Sequence, residues 1–466
     1  MKRFIDSCRI ASIASRQRPQ ASMSWEGRSN EQVWGRREMR SSGRRLRHRW
    51  RDIRSRLKEA GRTSRGSREG EVQISRRNLV LSGAAATAGL AMPWVAARAA
   101  APELKLGVVG VLSGPAAQWG LALRGAVEFV AAEATRDGLI KIGGEAAKVS
   151  VIAIDSKYTA EGAAAAANSL AGQGVKFIVG PIGSPELTGL KPIAVRNSML
   201  VMGNGYAKDA IGKQWPLVFH QGPGPSGWAD PIIKIAKDKF GMKSVVVVAP
   251  NDQGGTDIAS VDAEAYRNNG ITATEEYYQR GTTNFAPIIT RIMNQKPDAV
   301  DLASSPPGDG GIIVKQLRQA GFTGPIGRLG GPGYSEISRV AGGDDVLKDF
   351  YWYEPVFIDD KVEKIAADYK TLMKADRPEN NLFFQWVSAT RMVTKAVAKA
   401  GTVTDTQKVA EALRSLPVED PNMGAGHWIG QKFFGINQEL SFPFGVGLVL
   451  GGKLQPVQRV EAARDA

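Results

Sequence analysis

Leu112-Ser113-Gly114-Pro115-Ala116-Ala117-Gln118-Trp119-Gly120 follows directly on the apolar run Leu104–Val111 and runs into the amphipathic stretch Gly120–Ala134. A β-branched run, a Gly/Pro turn and then a helical period form the unit that builds parallel α/β sheets. The unit repeats. Strand Val149–Asp155 leads to the Ala-rich helix Glu161–Gln173, strand Val175–Val179 to helix Glu186–Asn197, and strands Met199–Met202 and Leu217–Gln221 complete a first series. Gly222-Pro223-Gly224-Pro225-Ser226-Gly227 then breaks the chain. A second series starts with strand Ser244–Ala249, helix Thr256–Asn269 and strand Thr272–Tyr278. Helix Asn284–Gln295, strand Ala299–Ala303, helix Gly310–Ala320 and strand Pro325–Leu329 continue it. Three helical stretches, Asp360–Lys374, Leu382–Ala400 and Thr406–Leu416, precede a hairpin of Phe444–Leu450 and Lys453–Val457 turning at Gly451-Gly452. The order predicts two open α/β lobes, with a seam at Gly222–Gly227 and late helices that return to the first lobe.

Ligands of open α/β sheets bind beyond the carboxyl ends of the strands, so the residues after each strand are the candidates. Trp119 stands after the first strand. Gly180-Pro181-Ile182-Gly183-Ser184-Pro185 comes just before a helix, where a hydroxyl and unpaired backbone N–H groups suit a carboxylate. Gly203-Asn204-Gly205-Tyr206 follows the fourth strand. In the second lobe Asn251-Asp252-Gln253-Gly254 and Ser304-Ser305-Pro306-Pro307-Gly308-Asp309 hold the equivalent places. Taken singly, Ser184 reads as a helix cap, Asn204 as a turn residue and Trp119 as core. Their shared position at strand ends reads instead as a cleft binder. Candidate ligand-binding residues are Trp119, Gly183, Ser184, Asn204, Gly205, Tyr206, Asp252, Gln253, Ser305 and Tyr334.

Charge and cysteine usage narrow the class. The net charge is +15, but residues 1–101 hold 23 basic and 8 acidic side chains, while residues 102–466 hold 38 of each. A neutral body has no bias toward phosphate backbones, so no nucleic-acid partner is expected. Cys8 is the single cysteine and lies in the leader, which leaves the body without a disulfide framework, a thiolate nucleophile or a Cys-ligated zinc. His220 and His427 have no second His at ligand spacing and read as structural. No metal and no cofactor is expected. Residues 1–71, rich in Arg, Ser, Gly and Gln, read as a disordered basic extension and an upstream start-site artefact. Ser75-Arg76-Arg77-Asn78-Leu79-Val80-Leu81, an uncharged stretch to Ala97 and the A-x-A site Ala97-Arg98-Ala99 lead us to read residues 72–99 as a twin-arginine (Tat) type signal peptide, cleaved to give a periplasmic body, with an uncleaved membrane anchor over Asn78–Ala97 as the alternative.

The chain resembles the leucine/isoleucine/valine-binding family of periplasmic solute-binding proteins, with the type I periplasmic binding fold. Leu112–Gly120 is similar to the family's LSGPxAxYG segment, Val179–Ser184 to its VGxxxS loop, and Lys315-Gln316-Leu317-Arg318-Gln319-Ala320-Gly321 to its LRQAG helix. The resemblance implies two Rossmann-like, doubly wound lobes joined by a three-strand hinge: residues 103–222 with 353–444, and residues 223–352 with 445–466. It also implies a monomer that captures a small molecule for the permease and ATPase subunits of an ABC importer, and not an enzyme. It places Trp119 where an aromatic meets the ligand's side chain, Gly183 and Ser184 at its carboxylate, and Asn204 and Tyr206 on a further binding strip. Two departures stand out. The segment after Pro325–Leu329, Gly330-Gly331-Pro332-Gly333-Tyr334-Ser335, lacks the acidic residue that pairs an amino acid's ammonium, and Asn251–Gly255 lacks the second lobe's aromatic. The ligand class thus spans amino acids, amides and aromatic carboxylates.

Rival readings are a receptor's ligand-sensing module, which shares the fold, and a Tat-exported dinucleotide-dependent enzyme. The second rests on the G-x-G-x-x-G spacing of Gly222–Gly227, where two prolines remove N–H groups that a pyrophosphate needs. No G-x-S-x-G, H-E-x-x-H, cysteine cluster or P-loop lysine motif supports an enzyme.

Overall fold

A computed structural model describes residues 101–207 and 209–465; the expected extension (1–71) and signal peptide (72–99) lie outside the described residues. The first lobe is built from β1 (Glu103–Gly110), α1 (Ala117–Arg136), β2 (Lys148–Asp155), α2 (Ala160–Gly172), β3 (Phe177–Val179), α3 (Ser184–Arg196), β4 (Leu200–Gly203) and β5 (Val218–His220). The second follows with α4 (Pro225–Phe240), β6 (Ser244–Pro250), α5 (Gln253–Asn268), β7 (Thr272–Tyr278), α6 (Ala286–Gln295), β8 (Ala299–Asp301), α7 (Pro307–Gln319), β9 (Ile326–Arg328), α8 (Tyr334–Ala341) and β10 (Phe350–Glu354). Next come α9 (Asp360–Met373), α10 (Leu382–Ala400), α11 (Thr406–Arg414), β11 (His427–Ile429), β12 (Glu439–Ser441), β13 (Phe444–Leu450), β14 (Lys453–Leu454) and β15 (Gln458–Val460).

These strands form two sheets of the same design. One runs β11-β12-β5-β4-β3-β1-β2 and the other β14-β13-β10-β9-β8-β6-β7, with β15 pairing β13. In each, the first five strands of the lobe are parallel and ordered 2-1-3-4-5. The order reverses between β1 and β3, and again between β6 and β8, which opens a crevice at the carboxyl ends of those strands. Both sheets are covered on both faces, so their strands read as continuous β-branched runs rather than alternating ones. In β6, Val245, Val247 and Ala249 enter one core and Val246 and Val248 the other. In β1, Leu104, Leu106 and Val108 face α1 and α10, whereas Val109 faces α2 and α3.

The chain passes between the sheets three times: through residues 221–224, between Glu354 and Asp360, and between Ser441 and Phe444. Helices α9 and α10 pack back on α1, as the sequence order predicts. The sequence reading omits α8 and the short strands β11 and β12. Strand β12 carries the buried Glu439, an unusual strand residue, held because His220 Nδ1 and the Gly224 amide meet its Oε1 at 3.1 and 2.9 Å. That contact also closes the N-terminus of α4, so the G-x-G-x-x-G segment is an inter-sheet passage met by the protein's own carboxylate. Among the described residues no helix is long and apolar enough to cross a membrane.

Candidate functional site

The strand-to-helix turn after β1 sets the first wall. Gly120 lies so close to the end of β1 that a Cβ there would stand 1.9 Å from the Val111 carbonyl oxygen. The residue must be glycine for α1 to start where it does, and that start aims Trp119 at the crevice. Trp119 is 5% exposed and meets Tyr158 with ring centroids 6.0 Å apart. Tyr158 comes from the turn after β2, where Lys157 and Tyr158 both adopt left-handed backbone (φ 55° and 59°). Two such positions in succession are costly for residues with side chains, and here they swing the phenol over the sheet edge.

The cleft between the sheets is lined by Trp119, Tyr158, Ile182, Asn204, Tyr206, Leu382 and Gln385 from one side. Trp228, Gly254, Ser304, Gly330, Gly331, Pro332 and Tyr353 line the other. Trp228 and Tyr353 stack at 4.2 Å, and Tyr206 meets Trp228 edge-on at 5.7 Å. Five aromatic rings therefore wall the cleft, and no charged side chain among the described residues lines it. Its polar supply is neutral. Asn204 Oδ1 and Ser304 Oγ are buried with no hydrogen-bond partner among the described residues, a state that costs about 1–3 kcal/mol per group unless a ligand or water completes it.

A cation stands one layer back. Arg328, at the end of β9, is fully buried. Its Nη1 donates to the Ser305 carbonyl at 2.6 Å and its Nε to the Pro332 carbonyl at 3.2 Å, bracing both second-lobe loops that line the cleft. Nη2 has no partner and no carboxylate lies within ion-pair distance among the described residues. Burial pulls the guanidinium down to about 10, against the opposing field of Asp301.

Ten residues were expected from the sequence, and the fold separates them into groups. Trp119, Asn204 and Tyr206 line the cleft. Gly183, Ser184 and Gly205 lie directly behind that wall. Ser184 Oγ accepts from the amides of Tyr206 (2.8 Å) and Ala207 (3.2 Å), so it holds the loop that presents Asn204 and Tyr206. The free helix N-terminus expected there is also occupied. Glu186, three residues after the cap Gly183, folds back toward the Ile182 and Gly183 amides and accepts from the Ser156 hydroxyl. This is the glutamate half of a capping box, since the cap Gly183 has no side chain to reciprocate. Burial pushes its carboxyl up to about 7.

Asp252 and Gln253 form a latch rather than a wall. Asp252 caps α5 through the Gly255 amide and pairs with Arg280, whose guanidinium lies 4.4 Å over the Tyr158 ring. Gln253 Nε2 donates to Thr188 Oγ1 of the other lobe at 3.1 Å. Ser305 Oγ donates to the Val248 carbonyl, and its neighbour Ser304 takes the lining position. Tyr334 faces a different cavity, stacked on Trp352 at 4.5 Å. Sequence reasoning missed Tyr158, although it ends a strand like the rest. It also missed Tyr353, at the end of β10, and Trp228 and Gln385, which lie inside helices where no strand-end rule reaches.

Residues 103–438 match the family model described as "Periplasmic binding protein". The chain belongs to the periplasmic binding protein family. This periplasmic binding protein is 26% identical over 331 residues to the "Leucine-, isoleucine-, valine-, threonine-, and alanine-binding protein" of Pseudomonas aeruginosa, covering 70% of this chain and 86% of that one. Its fold is shared with the branched-chain amino acid transporter substrate-binding protein LivJ of Streptococcus pneumoniae, solved with isoleucine, at TM-score 0.64 and 18% identity. That match covers 77% of this chain and 99% of the other. A solute-binding protein of an ABC transporter from R. palustris, solved with benzoate, matches at TM-score 0.64 and 16% identity over 78% and 98%. Two lobes of type I periplasmic binding topology are thus the architecture of this chain.

Proposed function

We propose that this periplasmic binding protein is the capture component of an ABC importer, delivering a small aromatic carboxylate or amide to membrane permease and ATPase subunits. It works in the periplasm as a monomer, exported on the twin-arginine-type leader at 72–99, and closes by rotation about the three inter-sheet passages. The observation that carries the ligand class is the lining of the cleft: five aromatic rings, unfilled neutral polar atoms and, among the described residues, no carboxylate. An α-ammonium enclosed there would lose its water with no charge to replace it, a cost of several kcal/mol. Flat aromatic walls suit a ring. Asn204 Oδ1 accepts from an amide or hydroxyl, Ser304 donates, and Arg328, behind both second-lobe loops and without a direct ion pair among the described residues, favours negative charge in front of them. The same fold holds benzoate in the R. palustris protein and isoleucine in the S. pneumoniae one, so the lining of this cleft carries the choice between them.

A thermal-shift panel of benzoate, 4-hydroxybenzoate, benzamide, leucine, isoleucine and valine tests it, because a ligand of the folded state alone raises Tm. The aromatic acids or the amide give the largest shift. A largest shift from leucine, isoleucine or valine, with none from the aromatic compounds, refutes the ligand class.

A further inference from the structure

A second cavity lies between the lobes, on the other side of the Gly330–Gly333 loop from the main cleft. Pro332 borders both. Its floor is Glu354, at the end of β10, which is 5% exposed. Glu354 Oε2 accepts from the Trp352 indole N–H at 3.1 Å, while Oε1 is buried without a hydrogen-bond partner among the described residues. One wall is the parallel stack of Tyr334 on Trp352, with planes 12° apart. Glu336 from α8 and Glu379, just before α10, bring two more carboxylates from opposite lobes. A buried carboxylate oxygen with an open valence, an aromatic face beside it and acidic groups at the mouth form the recognition set for an organic cation.

We propose that this cavity is a second ligand site, specific for a small organic cation such as an aromatic amine, anchored on Glu354 and stacked along Tyr334–Trp352. The proposal does not depend on the ligand of the main cleft. Three carboxylates with no metal-binding constellation among the described residues favour an organic cation over a metal ion. Because both lobes line the cavity, an occupant bridges them and favours their approach, so it raises the main cleft's affinity for its own ligand, and the reverse holds by linkage.

Burial pushes the Glu354 carboxyl up to about 7. The groups that face it are the Trp352 indole, the Asn381 amide and the Arg377 guanidinium, with Glu336 and Glu379 at the mouth. Arg377 is itself engaged with the Pro378 and Glu379 carbonyls and Asn381 Oδ1. Only the ionised carboxylate anchors a cation, so binding rises with pH as the carboxyl loses its proton, by about tenfold from pH 6 to pH 8.

The test uses calorimetry of the full protein with benzylamine, and with benzyl alcohol as an uncharged probe of similar shape. Benzylamine binds and benzyl alcohol does not. Glu354→Gln weakens benzylamine at least about tenfold. Wild-type affinity for benzylamine climbs between pH 6 and pH 8, a reading that needs no variant. Equal binding of the two probes, a flat pH profile, or undiminished benzylamine binding in Glu354→Gln overturns the proposal.

Discussion

The contact of Tyr158 with Gly254, both in the lining of the cleft, offers a way to oppose closure of the clamp from within it. Gly254 stands in the first turn of α5, and a Cβ built on it would lie 2.6 Å from the Tyr158 hydroxyl of the opposite lobe. The phenol has no room to retreat. It is backed by Gly183, whose own Cβ position lies 2.6 Å from Tyr158 Cε2, and the Arg280 guanidinium covers its face at 4.4 Å. Gly254→Ala therefore overpacks the closed form alone, at a cost of about 1–3 kcal/mol. That is about 5- to 150-fold in affinity. With the lobes apart the methyl meets nothing, and alanine is the better helix former by up to ~1 kcal/mol, so Tm without ligand holds or rises. Tyr158→Phe removes the offending oxygen and leaves Tyr158 Cζ and Pro185 Cδ as the nearest atoms at 3.5 Å, an ordinary contact. The double variant should then bind as Tyr158→Phe does. Calorimetry with the best binder of the panel, beside melting curves without ligand, reads both terms. Wild-type affinity in Gly254→Ala, or a double variant as weak as Gly254→Ala alone, refutes the reasoning.

Ser184→Ala deprives the Tyr206 and Ala207 amides of their acceptor and should loosen the Asn204–Tyr206 wall by about 1–3 kcal/mol, measured as weaker binding by calorimetry. Trp119→Ala should weaken the aromatic ligands by at least about tenfold through lost ring contact, with a smaller effect on any aliphatic one. Glu186, held at about 7 in the fold against 4.5 for an ordinary glutamate, stays protonated where the unfolded chain has already ionised. Folding stability therefore falls as pH rises from about 4.5 to 7 and levels off above, by up to ~3 kcal/mol for this group. Glu186→Gln should flatten that fall in denaturant titrations between pH 5 and pH 8. Scattering curves with and without a verified ligand should show compaction, and superimposable curves would count against hinge closure.

Much of the fold is legible in local sequence pattern. Uninterrupted β-branched runs such as Ser244–Ala249, each followed by a helical period, specify parallel strands buried on both faces, and parallel strands demand crossover helices. The rule that ligands sit at the strands' carboxyl ends locates Trp119, Asn204 and Tyr206, because strand order and polarity follow from local pattern alone. The chemistry of the site is decided elsewhere. Whether the Ser184 hydroxyl faces a ligand or two backbone amides depends on how the Asn204–Ala207 loop folds back over α3. Whether its helix end is open depends on Glu186 turning inward. Trp228, Tyr353 and Gln385 reach the cleft only because the chain passes between the sheets, and Tyr334 leaves it because the Gly330–Gly333 loop turns away. Local sequence sets the period of each element and what its ends carry. Contacts between residues a hundred or more positions apart, such as Tyr158 on Arg280 and Glu439 on His220, form only once both sheets are packed, and they decide which of those ends a ligand meets.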